Sequence, residues 1–176
     1  MTTRLLPTAV MLVCVGSCRM FSPLPDTRTP GDFAREVAPR CQDDPRVPRV
    51  SVPNAGAIDS VAPAYSYVHS GPVGPDARLR GARIHVKPLP GFAKEALGRA
   101  IECHEARVTL GTEPPLADDP YILPDHWLDI DVDSDRDGFV VLVRIDEYQY
   151  AHEVLARARR FVADAAAAGP SPSPSP

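Results

Sequence analysis

Aromatic side chains are scarce in this chain: 6% of 176 residues, with a single tryptophan. Any core must therefore be filled mainly by aliphatic groups. Positive charge is also short. Lys and Arg number 19 against 23 Asp and Glu, a formal net charge of -4. That balance argues against nucleic acid as the main partner, because phosphate binding needs a basic face. After residue 18 no apolar run approaches the roughly 20 residues that cross a bilayer. Signatures of catalysis are missing too: Gly-x-Ser-x-Gly, His-Glu-x-x-His, a phosphate loop and Cys-x-x-Cys-His do not occur. The sequence speaks to address and architecture, and it is silent on activity.

What is abundant is proline, 21 residues, where about 5% is usual. Ten lie from Pro23 to Pro75 and none lies between His126 and Gly169. One domain with tails fits this length, with an irregular N-terminal half attached to a regular C-terminal half.

The N-terminus reads as an export signal. Arg4 supplies a short cationic start, and the apolar run from Leu5 to Val15 is too short to span a membrane. It ends in Val15-Gly16-Ser17-Cys18, which resembles the lipobox of bacterial lipoproteins. The resemblance implies cleavage after residue 17, acylation of Cys18 and an anchor in the membrane, since two or more acyl chains hold where one does not. The alternative is an ordinary secretory signal with a chance cysteine. Arg19 stands where an aspartate would favour the inner membrane, so the resemblance points to the outer membrane of the cell envelope. Seventeen arginines against two lysines suit a high-GC bacterium.

Export would set the redox compartment. Cys14 leaves with the signal and Cys18 is acylated, so Cys41 and Cys103 are left as a pair. In an oxidising envelope they are expected to form a disulfide; two free thiols are the alternative.

Along the chain, residues 1–17 read as the lipoprotein signal peptide and 18–31 as a tether. Residues 32–77 read as a proline-rich irregular segment, with a helical turn at 32–37 and short strands at 49–52 and 65–69. Residues 78–165 form an α+β domain, and 166–176 a disordered Ser/Pro tail. Within the domain, Ala82, Ile84 and Val86 alternate with polar residues as a strand. A helix follows to about residue 110, with Gly111 as its cap and Leu97, Ile101, His104 and Val108 as its apolar stripe. Two further strands, 128–133 and 139–145, make a hairpin. Asp146 and Gln149 resemble a capping box for a last helix. The order predicts an antiparallel sheet of three to four strands with two helices packed on one face. This is partly ferredoxin-like: the closing C-terminal strand is missing, and a strand from 49–69 is the candidate to replace it.

Candidate chemistry is thin. Asp133-Ser-Asp135-Arg-Asp137-Gly138 matches the first half of a calcium loop, but Arg144 stands where its bidentate glutamate belongs. Asp133, Asp135 and Asp137 are thus the only metal candidates, for weak calcium; a solvated hairpin is the other reading. His104 beside Cys103 points about 100° away from it on a helix, so the pair does not share a metal. It reads as a core histidine bonded to a backbone carbonyl. His85, Lys87 and His126 read as surface residues, and Arg157, Arg159 and Arg160 as a solvated face in which Arg157 pairs with Glu153. No cofactor is expected. An enzyme would need a pocket where His104 or His126 meets a carboxylate.

Residues 82–162, above all Glu102-Cys-His-Glu-Ala-Arg107, Asp119-Pro-Tyr-Ile-Leu-Pro124, His126-Trp-Leu-Asp-Ile-Asp131 and Asp137-Gly-Phe139, are similar to a family of uncharacterised lipoproteins from high-GC Gram-negative bacteria. The resemblance implies a membrane address and domain limits, and no chemistry. The function expected from the whole is a lipid-anchored envelope lipoprotein that acts through membrane and protein contacts, with a calcium-dependent binding module as the alternative.

Overall fold

Alternation of small apolar and polar side chains from Ala82 to Lys87 does build a strand, and that strand lies in the middle of a sheet. The computed structural model describes residues 27–41, 51–69, 75–89 and 91–168. Its main elements are α1 (Pro30–Val37), β1 (Ile58–His69), β2 (Pro75–Val86), α2 (Lys94–Thr109), β3 (Asp129–Asp135), β4 (Gly138–Arg144) and α3 (Ala151–Ala168). The sheet has the order β1-β2-β4-β3, with every neighbouring pair antiparallel. This is an α+β fold. β2 and β3 run in the same direction on either side of β4 and are joined by α2, the split β-α-β arrangement of ferredoxin-like folds. The edge that such folds close with a C-terminal strand is filled by β1, from the N-terminal side of the domain.

One row across the sheet shows how the core is made. Val61, Ile84, Val141 and Val132 are aligned by register, and the next row sets Ala82 beside Val143. On this face lie Leu97 and Ile101 from α2 and Val154, Leu155 and Ala158 from α3, all in one buried cluster. Each Val, Leu or Ile among them contributes about 1.5–3 kcal/mol when taken from water.

The proline-rich half is more regular than its composition predicts. Pro63 lies inside the twelve-residue β1, where an edge strand tolerates a missing donor. Helix α1 begins at Pro30, inside the expected tether, because Thr29 and Asp32 cap it reciprocally: Asp32 N–H donates to Thr29 Oγ1 at 3.3 Å and Thr29 N–H to Asp32 Oδ2 at 2.9 Å. Three helices are therefore present among the described residues where two were expected.

At the end of α2, Thr112 N–H donates to Arg107 C=O and Gly111 N–H to Val108 C=O, with Gly111 at φ +71, a Schellman closure as the glycine suggested. The capping box expected at the last helix does not form. Asp146 binds Arg80 instead, and a short 3-10 turn over Tyr148–Tyr150 leads into α3. The expected strand at 49–52 falls partly outside the described residues, and residues 51–54 carry no regular structure. The signal peptide, Cys18, and residues 169–176 of the expected tail lie outside the described residues; residues 166–168 belong to α3.

Gly81 has a specific role. Its φ is +147, and a Cβ there would lie 2.2 Å from the Val143 carbonyl oxygen, beside the register shift where Ala64 gives way to Tyr65. Gly81→Ala is expected to cost about 1–3 kcal/mol in urea unfolding. A loss below about 0.5 kcal/mol, the range of an ordinary surface change, would show that the bulge relaxes freely.

Candidate functional site

The disulfide forms. Cys41, at the end of the 3-10 turn that follows α1, is bonded to Cys103 on α2, with Cα atoms 5.4 Å apart and the two residues 62 positions apart in sequence. Beside it Ala34, Val37 and Ala106 make a small second core, with Trp127 packed against it. Phe33 stacks on Trp127 at 5.7 Å and 11°. Arg28 lies over the Phe33 ring at 4.1 Å and pairs with Glu36 at 3.0 Å. Between α1 and residues 125–130 runs an open cleft of about 580 Å³, lined among others by Phe33, Arg40, Glu102, His126, Trp127 and Glu147.

Behind this cleft lies a buried polar cluster built by successive residues of α2. Glu102 faces the cleft, Cys103 holds α1, and His104 and Glu105 turn inward, 2% and 1% exposed. His104 is not satisfied by a backbone carbonyl, as the sequence suggested. Its Nδ1 lies 2.8 Å from Glu113 Oε1 and its Nε2 2.7 Å from Asp119 Oδ2. Two carboxylate acceptors require two N–H donors, so the ring is an imidazolium. Burial opposes its charge, but Asp119 and then Glu113 outweigh that and hold its pKa above the ordinary histidine value. Burial likewise opposes the charge on Glu113, and bonds from Arg107 and His104 outweigh it, so Glu113 sits below its usual value. Arg107 donates to Glu113 Oε2 at 2.6 Å, and the four charges cancel.

Asp119 is fully buried and serves three partners. Its Oδ1 accepts Tyr121 N–H at 3.0 Å in a tight Asx turn, and its carbonyl accepts Arg157 Nε–H at 3.3 Å. Glu105 reaches the other way: Oε1 accepts Leu128 N–H at 2.7 Å, while Oε2 has no partner. Burial raises its pKa well above the carboxylate range, only partly offset by that bond. Tyr121, with an unpartnered buried hydroxyl, is also pushed up by burial. The cluster therefore ties the loop at 112–128 to α2 and α3, and that loop carries His126 and Trp127 to the cleft. With both ring nitrogens engaged and almost no exposure, His104 has no lone pair with which to take a proton from a ligand.

The other candidates are scattered. Asp133 pairs with Lys94 at 3.0 Å, and Asp135 Oδ1 accepts the N–H of Arg136 at 2.7 Å. Asp137 is exposed at the β3–β4 turn. They sit on an extended hairpin, not on a loop that wraps an ion, and among the described residues no group of three His, Cys, Asp or Glu side chains could hold a metal. His126 Nδ1–H donates to the Pro124 carbonyl at 2.8 Å, and its ring rests on Tyr150 at 4.0 Å. It shares the cleft with Glu102 and Glu147, yet among the described residues it bonds to no carboxylate. Lys87 donates to Gly56 C=O at 3.0 Å, and His85 is half-buried. Arg157 does not pair with Glu153; that glutamate binds Arg160 at 2.9 Å, and Arg160 also holds Asp118 at 2.8 Å. Arg159 is exposed.

Glu105, Glu113, Asp119 and Tyr121 were missed by reading the sequence alone. The available signal was a second ionisable residue, Glu105, next to His104 on the buried side of a helix. No helix among the described residues is long and apolar enough to cross a membrane. No protein-family model matches the chain, and no curated protein or solved structure is significantly similar to it.

Proposed function

We propose that the protein is a lipid-anchored lipoprotein of the bacterial envelope that works by contact and not by catalysis: a disulfide-stapled α+β module that presents the cleft between α1 and residues 125–130 to envelope proteins. The observation that carries this reading is the Cys41–Cys103 bond, because structural disulfides persist in oxidising compartments. The lipobox-like Val15-Gly16-Ser17-Cys18 supplies the anchor, and the outer membrane is the favoured address by the identity of Arg19. The buried imidazolium supports a non-enzymatic role, since His104 is committed to holding the loop.

The test uses the full chain expressed in a Gram-negative host fed an alkyne fatty acid. Label is expected on the parent protein and absent from Cys18→Ser, which should leave the membrane fraction. An unlabelled parent found in the cytosol with residues 1–17 intact would overturn the proposal.

A further inference from the structure

Two edges bound the sheet, and the chain treats them differently. β3 is seven residues long and carries Asp129, Asp131, Asp133 and Asp135, the kind of charged edge by which natural sheets avoid pairing with other strands. β1 is twelve residues long, about twice the usual strand, and holds no charged side chain from Ser60 to Tyr67. Among the described residues no strand lies on its outer side. Tyr65 and Tyr67, 53% and 71% exposed, are the most exposed large hydrophobic residues of the described chain, and a spacing of two puts both on one face of the strand. Pro63 withholds a single donor. Beyond it, Ala64 to Tyr67 keep every backbone group.

We infer that β1 pairs antiparallel with β1 of a second copy of this chain, about a two-fold axis near Ser66, joining two four-stranded sheets into one of eight. Self-complementarity selects the occupant, and charge leaves only one edge open to it. The chain carries a net charge of -4, and self-pairing at β3 would set aspartates against aspartates, which is destabilising across a sheet. The neutral stretch of β1 lets two acidic copies meet without adding like charge. Antiparallel self-pairing is isologous, so it closes at two copies and does not propagate. Centred on Ser66, it sets each Tyr65 opposite the partner's Tyr67 on a common face, and aromatic cross-strand pairs stabilise such ladders. The pairing does not depend on acylation at Cys18.

The experiment coexpresses two full-length chains with different tags and purifies them in mild detergent through one tag. The second chain is expected to co-purify. Tyr65→Lys with Tyr67→Lys in both copies should cut its recovery about tenfold by placing cations along the edge. The thermal midpoint should move by no more than about 2 °C, as for other exposed substitutions. A Tyr65→Cys chain coexpressed with a Tyr67→Cys chain, which the register sets opposite each other, should yield a disulfide-linked dimer on a non-reducing gel, and Ser134→Cys on β3 should not. Parent chains that fail to co-purify, or a recovery indifferent to the two lysines, overturns the inference. So does a chain whose β1 captures a different protein and never its twin.

Discussion

His104→Ala should destabilise the protein by about 3–5 kcal/mol, the usual result of removing one partner from a buried ion pair. Asp119 would be left fully buried without the imidazolium that now lies 2.7 Å from it. The midpoint of thermal unfolding would fall by about 10 °C. His104→Gln, whose neutral amide cannot balance the two carboxylates, should lose most of that stability as well. A loss below about 1 kcal/mol for alanine would mean that the charges are relieved by water.

The same cluster sets the pH profile. The raised pKa of His104 gives stability that is complete below the unfolded histidine value near 6.5 and is lost as pH rises through the folded value. Glu113, lowered, adds stability above the ordinary glutamate value near 4.5 that is lost as pH falls through its folded value. Glu105, raised by burial, makes the fold less stable as pH climbs above 4.5. The three signs together place maximal stability in mildly acidic solution, with a decline towards alkaline pH. Glu105→Gln should flatten the alkaline side, because an amide still accepts Leu128 N–H and carries no charge. Urea midpoints measured from pH 4 to pH 9, with the range chosen to span these reference values, decide the matter. A parent curve that rises steadily to pH 9 would refute the assignment.

The second large effect is at the disulfide. Loss of a bridge spanning 62 residues should cost about 4 kcal/mol in the chain-entropy account. It should be visible as a lower urea midpoint in Cys41→Ser with Cys103→Ser, or in the parent treated with a dithiol. The loss will not be evenly spread. Helix α1 has eight residues and only Ala34 and Val37 buried, too few to hold a helix of that length unaided. Hydrogen exchange in α1 should become fast in the double mutant while β2 and β4 stay protected. Equal loss across the sheet would show instead that α1 is integral to the main core.

Much of the architecture was legible because period-two and period-3.6 patterns report burial directly. Ile84 and Val86, Leu97 and Ile101, and Val154 and Ala158 all face the core as their spacing required. The strand that closes the sheet was anticipated from 49–69, but its length was not, because Pro63 reads as a breaker unless the strand is known to lie at an edge. The bonded cysteines were legible from elimination among four. The buried cluster was not, since Glu113 and Asp119 lie in a proline-rich loop with no periodicity and meet His104 only through the fold. Likewise the Asp146 capping box was plausible locally and lost to Arg80, a residue 66 positions away.

The covalent link between Cys41 and Cys103 also determines how the molecule bears tension. A pull applied upstream of Cys41 passes straight into the middle of α2 and bypasses residues 42–57 and the edge strand that follows them. Strands peeled one hydrogen bond at a time yield easily, so this route spares β1 from being unzipped by whatever tugs on the front of the chain.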